Sequence, residues 1–192
     1  MLALSSAELT ILDWIALHCH TPWLDAVVPW ITRLGDGGIL WIILALVLLI
    51  LPKERLVGAQ AALALILHVV LCNLLVKNLV GRIRPFELAG IDQLLVALPD
   101  DPSFPSGHSA ASFAVVTVLF CNKHPLRWPA LIAAVLIALS RLYLYVHYPT
   151  DVLAGVLLGT LCGFLVVGLW RKLTARRGMQ MEKADTQRHT ES

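Results

Sequence analysis

Three cations, two histidines and one carboxylate recur in this chain at spacings suited to phosphate. Lys77 is followed after six residues by Arg84-Pro85, then comes Pro105-Ser106-Gly107-His108, then Ser140-Arg141 with His147 and Asp151. His147 closes an apolar stretch, and Pro149 forbids its simple continuation while suiting the first turn of a new helix. Asp151 falls in that turn, where the helix dipole favours a carboxylate. A tight connection brings Asp151 within reach of one His147 ring nitrogen, fixing the tautomer and leaving the other nitrogen free to attack phosphorus. Taken alone, the pair also reads as an interfacial histidine and a helix-capping aspartate.

The second run opens a helix, whose first-turn N–H groups form an anion site. Gly107 lets a phosphate oxygen approach the backbone closely. Ser106 can cap or donate a hydrogen bond. His108 stands beside that phosphate and can protonate a departing oxygen. A capped helix start with no further role accounts for the run equally well. Lys77 ends a long apolar helix and Arg141 lies inside another, depths at which a charge is costly and points to function. Lys77, Arg84 and Arg141 together can neutralise the oxygens of a transferring phosphoryl group, the role a metal plays elsewhere. No metal or cofactor is called for.

The elements that must carry these residues are membrane helices. Hydrophobic residues make up 58% of the chain and charged ones 15%. A typical soluble domain carries about 25% charged residues. Apolar segments run over about 37–52, 56–80, 107–122, 127–147 and 150–170. The first and third are short for a span of about 20 residues, as expected of helices that start at a recessed polar site. Residues 7–34 show helical apolar periodicity, interrupted by Glu8, Asp13, Asp25 and Arg33 and broken at Pro22. They read as a sixth span, or as an amphipathic helix in the interface. The span is the favoured reading. The expected fold is all-α, a polytopic bundle of six transmembrane helices. Residues 1–36 form its N-terminal helical segment, 37–170 its catalytic core and 171–192 a disordered cytoplasmic tail. Gly155, Gly159 and Gly163 form a stripe suited to close helix packing. Cys19, Cys72, Cys121 and Cys162 are widely spaced and read as small apolar fillers.

Basic residues set the orientation. Lys53, Arg55, Lys123, Arg127 and the tail's Arg171, Lys172, Arg176 and Arg177 fall on one side, which is then cytoplasmic. Arg33, Lys77, Arg82, Arg84 and Arg141 fall on the other, against the rule, and four of these five lie in or beside the motif runs. The three runs therefore meet on the extracytoplasmic face. The net charge of +2 carries no nucleic-acid footprint.

Together the runs resemble the type 2 phosphatidic acid phosphatase (PAP2) superfamily, whose pattern is K-x6-R-P, P-S-G-H and S-R-x5-H-x3-D. Every defining position is matched between Lys77 and Asp151. The resemblance implies a metal-independent membrane phosphatase. In it His147 forms a phosphohistidine, Asp151 orients it and His108 is the general acid. Lys77, Arg84, Ser106, Gly107 and Arg141 bind phosphate. It further implies a lipid phosphate or diphosphate substrate, with undecaprenyl diphosphate favoured. Phosphatidylglycerophosphate, phosphatidic acid and a lipid A phosphate stay open, as does phosphotransfer to another acceptor. Arg82 is divided between adding positive field at the site and lying solvated in its loop. Asp100 and Asp101 can order a lid or repel free phosphate, with a solvated turn the favoured reading.

Overall fold

The computed structural model describes residues 2–190, with side chains from 6 to 176. Every regular element among them is helical. Helix α1 spans Leu2–Cys19 and α2 Pro22–Arg33. Thr21 caps α2, its hydroxyl accepting from the Leu24 N–H at 3.3 Å, and Pro22 supplies the first turn. A glycine-rich turn at 35–38 leads into α3, Ile39–Ile50. Helix α4, Arg55–His68, widens into a π segment, Val69–Val76, and closes with one α turn, α5, Lys77–Val80. The short α6, Pro85–Ala89, opens the long loop to α7, Gly107–Cys121. Helix α8 spans Arg127–Tyr143 and α9 Pro149–Thr190.

The centre of the bundle is the contact of α7 with α9, and the glycine stripe makes it possible. A Cβ at Gly155 would lie 2.5 Å from the Ser106 carbonyl oxygen, and one at Gly159 only 2.1 Å from that of Ala110. At Gly163 it would meet the Thr117 Cβ at 2.6 Å. The two backbones touch where side chains are missing, which locks the start of α7 against the start of α9. Helices α4 and α8 pack on this pair, and α3 packs on α4. Trp41, Ala61, Val115, Leu119 and Ile137 belong to the resulting core. The outer surface is apolar: Leu79 is 82% exposed and Leu157 71%. Lipid, not water, suits such a surface.

By length and composition, Arg55–Ala89 and Pro149–Arg176 can each cross a membrane. The pair Pro22–Arg33 and Asp36–Ile50, bent by 44°, makes a third span if counted as one. Six separate spans do not follow from length and apolarity alone. Helix α7 has 15 residues, about 22 Å at 1.5 Å per residue, against a hydrocarbon core of about 30 Å. Residues 7–34 are not one continuous helix either: the chain breaks between Cys19 and Pro22. Past residue 170 the chain continues as helix to Thr190, where the sequence predicts a disordered tail. Ala, Arg, Lys, Met, Gln and Glu there are good helix formers that extend a helix already nucleated by the bundle.

Candidate active site

All eight residues singled out in the sequence lie at one end of the bundle. Lys77, Arg84, Ser106, Arg141, His147 and Asp151 are buried there, although all are polar or charged. Backbone hydrogen bonds tie the runs together. The Ser106 N–H donates to the Asp151 carbonyl at 3.0 Å, and the Val146 N–H donates to that of Arg141 at 3.2 Å. Ser106 caps α7, its hydroxyl accepting from the Ser109 N–H at 3.4 Å. Gly107 faces Asn73 and Lys77: a Cβ there would lie 3.9 Å from the Lys77 Nζ.

His147 sits in the turn between α8 and α9. Its Nδ1 lies 3.6 Å from Asp151 Oδ2 and 3.5 Å from the Ser103 hydroxyl. The Ser103 hydroxyl also donates to that same carboxylate oxygen, and the Tyr148 N–H donates to it at 2.9 Å. Nε2 is left on the other side, 3.4 Å from Arg84 Nη1. Burial pushes the His147 imidazole down to about 3, against the opposing pull of Asp151 and with the help of the Arg141 and Arg84 charges. The ring is therefore neutral at physiological pH, the state in which Nε2 carries a lone pair, here facing the Arg84 Nη1 donor.

The cations are held by their backs. Arg84 donates from Nη1 to the Val146 carbonyl at 2.8 Å and from Nε to the Asp101 carbonyl at 2.7 Å. Arg141 donates from Nη1 to the Thr32 hydroxyl at 2.5 Å, while its buried Nε has no protein partner among the described residues. An unpartnered guanidinium N–H in a buried cluster of positive charge can donate to an anion. Arg84, Arg141, His108 and His147 line a cavity of ≈ 370 Å³, together with Asp36 and Asp101. Among the described residues no group of three or more His, Cys, Asp or Glu is placed to hold a metal ion.

Residues 58–175 match the model of the PAP2 superfamily. The chain belongs to that superfamily. A PAP2 enzyme of this kind is a hydrolase acting on phosphoester bonds. The chain is 34% identical to an undecaprenyl-diphosphatase of Sulfolobus acidocaldarius over 84% of its own length and 78% of the relative's. It is 33% identical to phosphatidylglycerophosphatase B of Bacillus subtilis, over 82% of this chain and 81% of that one. The crystal structure of a transmembrane PAP2-type phosphatidylglycerolphosphate phosphatase from Bacillus subtilis superposes with a TM-score of 0.71 at 32% identity, covering 88% of this chain and 87% of the other.

Within this PAP2 site several residues carry more than the sequence assigns them. Asp101, expected in a solvated turn, pairs with Lys77 and lies 2.5 Å from Arg84 Nη2. Arg82 is not left solvated. It donates to Asp151 Oδ1 at 2.6 Å, to Glu8 Oε2 at 2.5 Å and to the Thr150 hydroxyl at 2.8 Å, over the Tyr148 ring. Glu8 is buried on α1 and accepts from the Thr150 N–H at 2.9 Å. Asp13 and Asp25 accept from the Tyr145 and Tyr143 hydroxyls, each at 2.6 Å. Three of the four charges that interrupt the N-terminal periodicity, Glu8, Asp13 and Asp25, thus anchor α1 and α2 to the segments around the site. That interruption was the available signal; its partners, 74 to 142 positions away, were not.

Proposed function

We propose that this PAP2 protein is a lipid phosphatase that works through a phosphohistidine on His147, with undecaprenyl diphosphate as its substrate and undecaprenyl phosphate as the retained product. The observation that carries the mechanism is the neutral, fully buried His147 whose Nε2 faces the cation-lined cavity while Nδ1 faces Asp151. The terminal phosphate enters between Arg84, Arg141 and Lys77, with the first-turn N–H groups after Ser106 as further donors. Nε2 attacks phosphorus, and the bond to the bridging oxygen breaks. That oxygen takes a proton from His108. Asp151 stabilises the charge that develops on the His147 ring. Water, deprotonated by the now neutral His108, then cleaves the phosphorus–nitrogen bond and releases inorganic phosphate.

The substrate assignment is supported by the undecaprenyl-diphosphatase relative. An apolar outer surface around the bundle suits a long isoprenoid tail, and the cavity suits a phosphate headgroup. The positive-inside distribution supports a site on the extracytoplasmic face and a cytoplasmic C-terminus. Phosphatidylglycerophosphate is the second reading, favoured by the Bacillus subtilis relative and by the solved Bacillus subtilis structure. Purified protein in detergent with EDTA, given each lipid in turn, tests the assignment by phosphate release. A higher kcat/KM on undecaprenyl diphosphate is expected. A preference for phosphatidylglycerophosphate transfers the assignment to the second reading, and transfer of labelled phosphate to an added acceptor alcohol would make the enzyme a phosphotransferase.

A further inference from the structure

Resting on the proposed phosphohistidine mechanism, a second histidine–carboxylate pair can be read on the leaving-group side. His108 Nε2 lies 2.9 Å from Asp36 Oδ1, although the two are 72 positions apart. The contact is built by the turn between α2 and α3. A Cβ at Gly35 would lie 2.6 Å from His108 Cδ2 and 2.8 Å from Ile137 Cγ2, so the ring rests against bare backbone. Gly37 and Gly38 take φ of 57° and 72°, which only glycine adopts freely, and they turn the chain so that Asp36 meets the ring edge. On the other side α3 is pinned to α7. Trp41 Nε1 donates to the Ser112 hydroxyl at 2.9 Å, and that hydroxyl donates to the His108 carbonyl at 2.7 Å. The imidazole is thus set between the turn and its own helix, with Nε2 engaged and Nδ1 without a protein partner among the described residues.

We propose that Asp36 is a positioning residue for His108: it holds the ring by Nε2, aims Nδ1 at the departing oxygen, and supports the protonated ring that must donate there. The charged groups facing His108 explain why support is needed. Arg33 from α2, Arg84 from the loop before α6 and Arg141 from α8 line the same cavity as His108, and the charges of Arg141 and of Lys77 on α5 oppose a positive imidazole. His147 is neutral, and the Asp101 carboxylate is taken up by Lys77 and Arg84. Asp36 is the carboxylate left in contact with the ring. In the chemical step the phosphorus–nitrogen bond to His147 forms and the phosphorus–oxygen bond to the leaving group breaks. The Nδ1 proton passes to that oxygen, and His108 is left neutral with Nε2–H still on Asp36. The same neutral ring then has a lone pair at Nδ1 for the incoming water.

The test is the pH dependence of kcat on undecaprenyl diphosphate in detergent for Asp36→Asn, Asp36→Glu, His108→Ala and the Asp36→Asn/His108→Ala double variant. Loss of the Asp36 charge lowers the proton affinity of His108, so the alkaline limb moves to lower pH, by about one unit for one contacting charge. Glu is expected to return the limb toward its original position. The double variant is expected to match His108→Ala alone, since Asp36 acts only through that ring. An unmoved limb with reduced kcat, or a double variant that loses the product of the two single effects, would overturn the proposal. His108→Ala with wild-type rate and limb would instead overturn the underlying mechanism, and so separates the two failures.

Discussion

His147 and Asp151 lie one helical turn apart, with Nδ1 3.6 Å from Oδ2, in a turn where both are almost wholly buried. Asp151 does more than face the ring: it also accepts from Ser103, from the Tyr148 N–H and from Arg82. A carboxylate fixed on several sides is a rigid reference for one imidazole nitrogen. Asp151→Asn keeps the shape but can present an N–H to Nδ1 and so favour the wrong tautomer. The expected outcome is a fall in kcat of about 10²–10⁴-fold, the range of the His–Asp and general acid–base precedents. His147→Ala should abolish the acid-labile phosphoprotein seen when labelled substrate is quenched in base. Persistence of that label in His147→Ala would remove His147 as nucleophile.

Arg82 and Glu8 should matter almost as much to the fold. The Arg82 guanidinium links Glu8 on α1 to Asp151 at the start of α9, and the Glu8 side chain is 6% exposed. Arg82→Ala leaves the buried Glu8 carboxylate with no counterion, a change that typically costs about 3–5 kcal/mol, whereas Glu8→Ala leaves Arg82 paired with Asp151 and costs less. Arg82→Ala and Glu8→Ala should each lower the thermal midpoint in detergent clearly, with activity falling alongside. The double variant should lose much less than the sum of the two, because they share one network. Additive losses would mean that α1 is held by something else.

This network also shows what the sequence could and could not disclose. The three runs were legible because each is local: a proline, a cap and a first-turn residue place Ser106, His147 and Asp151 within a few positions. The glycine stripe was legible because its period is that of a helix face. Glu8, Asp36 and Asp101 were not, because each acts through a partner brought near only by packing, as with Glu8 and Thr150, 142 positions apart. The π segment before Lys77 was equally hidden, since Val69–Val76 is an ordinary apolar run by composition. The N-terminal periodicity did not disclose that its interruptions Glu8, Asp13 and Asp25 meet partners far along the chain.

Asp101 stands between Lys77 and Arg84, the two cations proposed to hold the substrate phosphate. Burial alone would raise its carboxyl; Lys77 first and Arg84 next outweigh this and hold it down at about 2. A depressed carboxylate keeps its pairing above its unfolded value of 3.8 and loses it only as pH falls through about 2. The pairing is therefore constant from pH 5 to 8. Asp101→Asn should weaken competition for the two cations, lowering KM and the inhibition constant for inorganic phosphate by about threefold to tenfold. The shape of the pH–rate profile in that range should stay as it is. A shifted profile would show that Asp101 acts on a titrating histidine and not on the cations alone.

The α7–α9 seam sets the distance between the proposed general acid and the proposed nucleophile, because His108 rides on one helix and Asp151, the partner of His147, on the other. Gly159 is the tightest point, where a Cβ would press to 2.1 Å from the Ala110 carbonyl oxygen, a backbone atom that cannot swing aside. Gly159→Ala must therefore part the helices. Overpacking of this kind costs about 1–3 kcal/mol, and the displaced helix starts should lower kcat more than they raise KM, since misplacement by about 1 Å can cost 10²-fold in rate. Gly168 lies on the same helix with no atom within 4 Å of an added Cβ. Gly168→Ala should leave both the thermal midpoint and kcat near wild type. If Gly159→Ala proved as neutral as Gly168→Ala, the seam would not be what spaces the two halves of the site.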